Sequence, residues 1–270
     1  MNAGAGTDFH SHLVPGVDDG SATIEESRAA LAAFARDGIT TAIITPHFEG
    51  SLTHAPLLAA ERLAQIDAGW TALTEDAGAS SSGVRLFRGV ELMLDVPDPD
   101  VRDARLRLGG SRYVLVEYPS MLLPEQHAEY AIRCLRDKGV QPILAHPERY
   151  QNVSESLDEL LPLRYTGAYF QINAGSLLGH HGRGAARRAE ALLARGWAEY
   201  ASSDYHARGP LSVLEARAWL VARGGAEQAD ALFHTNAARI LRDEPPVPVA
   251  PLAGGQTGKA RPWWARLLGR

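Results

Sequence analysis

Hydrophobic and polar positions alternate between two regimes along the chain. Short apolar, β-rich runs at "TDFH", "TAIITPH", "VRLFRGVEL", "YVLVEYP", "QPILAHP", "AYFQIN" and "EYASSD" predict strands, several of them continuous enough to be buried on both faces of a parallel sheet. Longer segments with helical periodicity separate them. "TIEESRAALAAFARDG" shows the pattern: Thr23 and Glu26 form a capping-box signature, Ile24, Leu31 and Phe34 fall on one face, and Gly38 supplies a stop. Similar helices are predicted over about 54–77, 124–138, 184–195, 211–223 and 226–242. Repeated βα units without a GxGxxG or GxxxxGK[ST] loop favour a closed or nearly closed barrel over an open nucleotide-binding sheet.

The pattern changes near Glu244. Residues 1–243 are expected to form the barrel domain, and 244–270, "EPPVPVAPLAGGQTGKARPWWARLLGR", a flexible Pro-rich tail. Trp263, Trp264, Leu267 and Leu268 lie among Arg261, Arg266 and Arg270, a composition open to weak contact with a membrane surface or a partner and equally to a bland exposed terminus.

Composition narrows the class. The 270 residues carry 27 Lys and Arg against 32 Asp and Glu, a net charge of −5, which leaves no basic footprint for general nucleic-acid binding. The N-terminus lacks a secretion signal, and no run approaches the roughly 18 apolar residues of a membrane span, so a cytoplasmic location is expected. Cys134 is the single cysteine; disulfides and CxxC zinc sites are excluded, a C-x5-R phosphatase loop is absent, and a buried structural thiol is expected.

The candidate chemistry lies at the strand ends. His10 and His12 end the first predicted strand, His47 the second, Glu91 the third, Glu117 the fourth, His146 the fifth, and Asp204 and His206 the seventh. In a βα barrel these C-terminal ends converge on one face. His10 and His12 are two apart, which puts both on one side of an extended strand. Nitrogen and carboxylate donors without thiolates suit zinc, manganese or iron.

The set "DFHSHLVPGVDDG", "TPH", "GVEL", "VLVEYP", "ILAHPERY", "INAGSLLG" and "SSDYH" resembles the PHP (polymerase and histidinol phosphatase) superfamily, in particular its bacterial capsule and exopolysaccharide protein-tyrosine phosphatases, over about residues 8–243. The resemblance implies an α/β fold, a distorted (β/α)7 TIM-like barrel, with three divalent metal ions (Mn, Zn, Fe or Co). By similarity His10, His12, Glu91 and Asp204 would hold one ion; Glu91 would bridge to a second with Glu117 and His146; Asp19, His47 and His206 would hold the third. It further implies hydrolysis of phosphotyrosine by metal-activated hydroxide, on a protein such as a tyrosine kinase controlling polysaccharide synthesis. Arg149 and Arg208 are candidate phosphate clamps; for Arg149 the competing reading is an ion pair with Glu148. Gln171 and Asn173 are open to either second-layer hydrogen bonding or a structural turn, and Asp8 and Asp18 to supporting roles. His54, His180 and His181 read as exposed loop histidines without a catalytic part. Two departures from the family pattern, Phe48 after "TPH" and the "GHHG" stretch, fall at the expected substrate mouth. Rival readings are a phosphoesterase for a small metabolite such as histidinol phosphate, a non-catalytic kinase-binding module, and an amidohydrolase. The last is disfavoured because Lys138, the only lysine before the tail, sits at a helix end.

Overall fold

The computed structural model describes residues 6–124 and 126–252. Its strands are β1 (Gly6–Asp8), β2 (Ile39–Ile44), β3 (His47–Glu49), β4 (Arg85–Arg88), β5 (Glu91–Met93), β6 (Tyr113–Glu117), β7 (Gln141–Ala145), β8 (Tyr169–Asn173) and β9 (Tyr200–Ser202). All pairings are parallel, in the orders β1-β2-β4 and β3-β5-β6-β7-β8-β9. β2 with β3, and β4 with β5, are the two halves of single predicted strands. Pro46, which has no N–H to donate, interrupts the first, while Gly89 N donates to Ile44 O (3.0 Å) and Glu91 N to Pro46 O (3.1 Å) across the gap. The nine segments therefore form seven staves, as the sequence pattern predicts.

The ring closes between its first and last staves. A parallel bridge joins Ser11 to Tyr205, with Asp204 N bonded to His10 O (2.8 Å) and His12 N to Tyr205 O (2.9 Å). Asp8 locks the same seam below, its carboxylate accepting from Ser202 Oγ (2.7 Å), Ser203 N (2.7 Å) and Ser203 Oγ (2.9 Å). The supporting role expected of Asp8 is thus to hold the barrel shut beneath the site.

Strand periodicity explains where the site begins. Phe9, Ile43, Leu115, Ile143 and Tyr200 fill the barrel interior, and alternate residues such as Ile44, Val116 and Leu144 face the helical layer. Continuing the inward series by steps of two leads from Ile43 to His47, from Phe87 to Glu91, from Leu115 to Glu117, from Tyr169 to Gln171 and Asn173, and from Tyr200 to Asp204. The interior is apolar at the bottom and polar at the top. His10 and His12 break parity with Phe9, and His146 with Ala145; the left-handed backbone of His146 (φ 34°) turns the chain at the strand end, and Asp204 shares this conformation (φ 51°). Such torsions in non-glycine residues concentrate at functional sites.

Helices close the outside. Ile24–Arg36 buries Ser27, Ala30, Leu31 and Phe34. Thr23 Oγ1 accepts from Glu26 N, whereas the Glu26 carboxylate caps Ala22 N, one residue before the capping-box position. The last predicted helix is a composite of Ala226–Asp230, a π turn at Ala231–Thr235 and Asn236–Ile240. Two expectations are corrected. Cys134 is partly exposed rather than buried. Residues 244–252 lack regular structure but lie on the barrel: Tyr113 Oη donates to Glu244 O (2.6 Å), Asn236 exchanges bonds with Val247, and Leu252 N donates to Leu193 O (3.0 Å). The Trp263–Leu268 stretch lies outside the described residues. Among the described residues no helix is long and apolar enough to cross a membrane.

Candidate metal centre

All nine residues expected as ligands meet at the C-terminal end of the barrel. Glu91 is the hub. One of its oxygens lies 3.2 Å from His10 Nε2, 3.3 Å from His12 Nε2 and 3.2 Å from His47 Nδ1; the other is 3.0 Å from His146 Nε2. Asp204 Oδ1 stands 3.3 Å from His10 Nε2 and 3.5 Å from His12 Nε2. Asp19 Oδ1 is 3.4 Å from His47 Nε2 and 3.3 Å from His206 Nε2, and Glu117 Oε1 is 3.1 Å from His47 Nδ1.

Three metal-capable groups result: His10, His12, Glu91 and Asp204; His12, Asp19, His47 and His206; and His47, Glu91 and Glu117. The first is the expected set, and the second is the expected trio with His12 added. In the third, His47 takes the place expected of His146, which instead meets the other Glu91 oxygen.

The hydrogen bonds behind the ligands show what this centre requires. Gln171 Nε2 donates to Ile172 O (2.8 Å), so its carbonyl oxygen faces His10 Nδ1 (2.9 Å) and that nitrogen carries the hydrogen. Asp18 Oδ2 likewise accepts from His12 Nδ1 (2.9 Å). Both Nε2 atoms are left as lone-pair donors, yet they face each other at 3.3 Å beside two carboxylates. Acceptors gathered against acceptors in a buried site repel unless a cation lies among them, and fixing the outer nitrogen is how proteins orient metal-binding histidines. The residues present therefore fit divalent ions.

Where no cation lies among them, the clustered carboxylates draw protons onto the histidines instead. Burial alone would lower the His10 imidazole, but Glu91 and Asp204 outweigh it and hold it at about 9. His12 is raised well above its ordinary value by Asp18, Asp204 and Glu91 against its burial. Burial pushes the Glu91 and Asp204 carboxyls up, and the surrounding histidines, His10 first, pull both well below the usual range.

Supporting residues divide into those the sequence exposed and those it hid. Asp18 also accepts from Gly20 N (3.0 Å) and His47 N (3.1 Å), tying the first loop to the second stave. Gly20 is required there: a Cβ would stand 2.0 Å from His12 O. Asn173 Nδ2 donates to Asp204 Oδ2 (2.8 Å), so both Gln171 and Asn173 bond to expected ligands. Arg62 gave no sequence signal, being one arginine within a long helix; its guanidinium bonds Val17 O and His47 O, each at 2.8 Å.

Arg149 pairs not with Glu148 but with Asp204 Oδ2 (2.6 Å). Glu148 is buried and bonds Asn173 N and Ser176 Oγ. Arg149 and Arg208 share the lining of a cavity of about 230 Å³ with Asn173, His180, His181 and Asp204. A wider cavity of about 770 Å³ opens on the other side, along Asp19, His47, Glu61, Met93 and Glu117. His54 ends a short 3₁₀ turn, exposed, and lines neither cavity.

Fold and donor set together define a class of TIM-like α/β barrel with metal-capable groups clustered at the C-terminal strand ends. Comparison with known proteins narrows it. The chain belongs to the family described as "Capsular polysaccharide synthesis, CpsB/CapC", whose model matches residues 6–242. The tyrosine-protein phosphatase YwqE of Bacillus subtilis is 30% identical over 202 residues, covering 74% of this chain and 76% of its own. The tyrosine-protein phosphatase CpsB of Streptococcus pneumoniae is 28% identical over 247 residues, covering 88% and 98%. A crystal structure from work on YwqE and S. pneumoniae CpsB, described as unique metal-dependent tyrosine phosphatases, superposes with a TM-score of 0.69 at 27% identity, covering 90% of this chain and 99% of that one. An organophosphorus hydrolase variant from Deinococcus radiodurans shares the fold, with a TM-score of 0.53 at 16% identity over 88% of this chain and 94% of that one.

Proposed function

We propose that this chain is a metal-dependent phosphotyrosine-protein phosphatase, acting in the cytoplasm on a tyrosine kinase that regulates capsular or exopolysaccharide synthesis. The observation that carries this reading is the convergence of the nine ligand-type residues, with their free nitrogens and oxygens facing one another, beside an arginine pocket. His10, His12, Glu91 and Asp204 would hold one ion, Glu91 and Glu117 a second with His47 or His146, and Asp19, His47 and His206 a third. Bound divalent ions supply Lewis-acid charge for the phosphoryl oxygens and make water acidic enough to attack near neutral pH.

The chain's own residues bind and orient. Arg149 commits one nitrogen to Asp204 and keeps further donors for two phosphoryl oxygens in fork geometry. Arg208, on the same cavity, adds a second positive charge. Gln171, Asp18 and Asn173 hold the inner side chains in one orientation, so that little reorganisation accompanies binding.

Two results test this reading. Metal-loaded protein offered phosphotyrosine peptides and histidinol phosphate side by side should show the higher kcat/KM on the peptides; preference for histidinol phosphate would transfer the chain to the small-metabolite branch. Arg149→Lys retains the charge beside Asp204 but loses the planar fork, and should raise KM for an aryl phosphate by roughly 10-fold or more, the equivalent of about 1.5–3 kcal/mol. Steady-state kinetics that show an unchanged KM would remove Arg149 from the phosphate site.

A further inference from the structure

Behind the arginine pocket runs a hydrogen-bonded chain that the metal centre does not use. Glu148 is fully buried; its Oε1 accepts from Asn173 N (2.9 Å) and from Ser176 Oγ (2.7 Å), and its Oε2 has no partner among the described residues. Ser176 Oγ, itself buried, lies 3.0 Å from His181 Nδ1. A hydroxyl has one hydrogen. Since Ser176 gives it to Glu148, His181 Nδ1 must carry the hydrogen of the second bond, which leaves Nε2 as the free nitrogen of an imidazole lining the Arg149 and Arg208 cavity.

The neighbouring His180 provides an internal comparison. Its Nδ1 is 3.1 Å from Ser212 Oγ, but Ser212 donates to the Pro210 carbonyl. Only the His181 chain ends on a carboxylate. A carboxylate behind an intervening hydroxyl fixes the tautomer and stabilises the imidazolium, the logic of an oriented catalytic histidine. Gly175 makes room for both rings: a Cβ there would stand 3.3 Å from His180 Nδ1 and 3.3 Å from His181 Cε1.

We propose that His181 is the general acid that protonates the departing phenolic oxygen, positioned by Ser176 and Glu148; this rests on the phosphatase reading above. The P–O bond to tyrosine breaks, its electron pair passes to the phenolic oxygen, and the Nε2 proton follows. Water supplies the oxygen that completes inorganic phosphate and releases one proton to solvent; the neutral imidazole left behind takes up its Nε2 proton when the next substrate binds. The groups around the ring are Arg149, Arg208, His180, His146 and Asp204, with Glu148 behind Ser176. Without substrate, burial first and the Arg149 charge second hold His181 at about 4. A phosphoryl dianion seated on Arg149 offsets that charge and adds its own, so the ring gains its proton together with substrate.

The test uses the metal-loaded protein and two leaving groups, p-nitrophenol, which departs readily as its anion, and tyrosine, whose phenol has a pKa of about 10. His181→Asn should cost roughly 10²-fold in kcat on a phosphotyrosine peptide and less than about threefold on p-nitrophenyl phosphate. It should also erase the basic limb of the peptide kcat–pH profile. Ser176→Ala and Glu148→Gln should show the same ordering with smaller losses, and His180→Asn should lack the ordering. Equal losses on both leaving groups in His181→Asn overturn the assignment. Wild-type protein that turns over neither compound overturns the phosphatase reading, and the assignment with it.

Discussion

Glu91→Gln should abolish turnover, by roughly 10³-fold or more, and lower bound metal on elemental analysis. Glu91 is the residue on which the other ligands depend: its two oxygens meet His10, His12, His47 and His146, and it belongs to two of the three metal-capable groups. Glutamine keeps the shape but replaces one oxygen with an N–H2 donor, which can neither bind a cation nor neutralise it. Losing the several kcal/mol that metal charge contributes to a phosphoryl transition state corresponds to the stated rate loss. Breaking a buried charge cluster by removing one partner also costs about 3–5 kcal/mol of stability. Circular dichroism and thermal melting should therefore show a folded protein with a lowered midpoint. Full activity with undiminished metal content would remove Glu91 from the centre.

Exhaustive chelation should have the second large effect, abolishing activity and lowering the melting temperature by roughly 10 °C. Asp18, Asp19, Glu91, Glu117 and Asp204 surround the site, and Arg149 is the guanidinium paired with one of them. Cations that bind the folded chain at about 1,000 times their dissociation constant stabilise it by about 4 kcal/mol, and for a chain of this size each kcal/mol moves the midpoint by about 2–4 °C. Restoring Mn, Zn, Fe or Co singly should recover both properties to different degrees, and that ranking identifies the working ion. A chelated protein with unchanged activity would leave the clustered histidines as structural groups only.

Parts of this architecture were legible because they depend on local rules. Strand periodicity located all seven staves, and residue type at the strand ends marked eight of the nine ligand candidates; Asp19, in a loop, came only from the family resemblance. Asp18 could be placed in support because it lies beside two histidines in one glycine-bounded loop. The division of β2 from β3 was less visible, since an interruption at Pro46 is bridged by bonds from a different stave. The docking of residues 244–252 escaped composition for a similar reason: two of its anchors, Tyr113 and Leu193, are remote in sequence.

The sequence by itself determined the elements, their order and the chemistry delivered to one face, because hydrophobic period and residue type are properties of single segments. Only the tertiary structure decided how the ligands share partners. His47 falls in one metal-capable group with Glu91 and Glu117 because it pairs in register with Glu91 on adjacent strands, while His146, beyond a left-handed turn, meets the other Glu91 oxygen. It also decided that Arg149 binds Asp204 and that His181, one of two adjacent histidines in the same loop, connects to a buried carboxylate. These choices depend on distances of a few ångströms between segments far apart in the chain, and no periodicity within one segment encodes them.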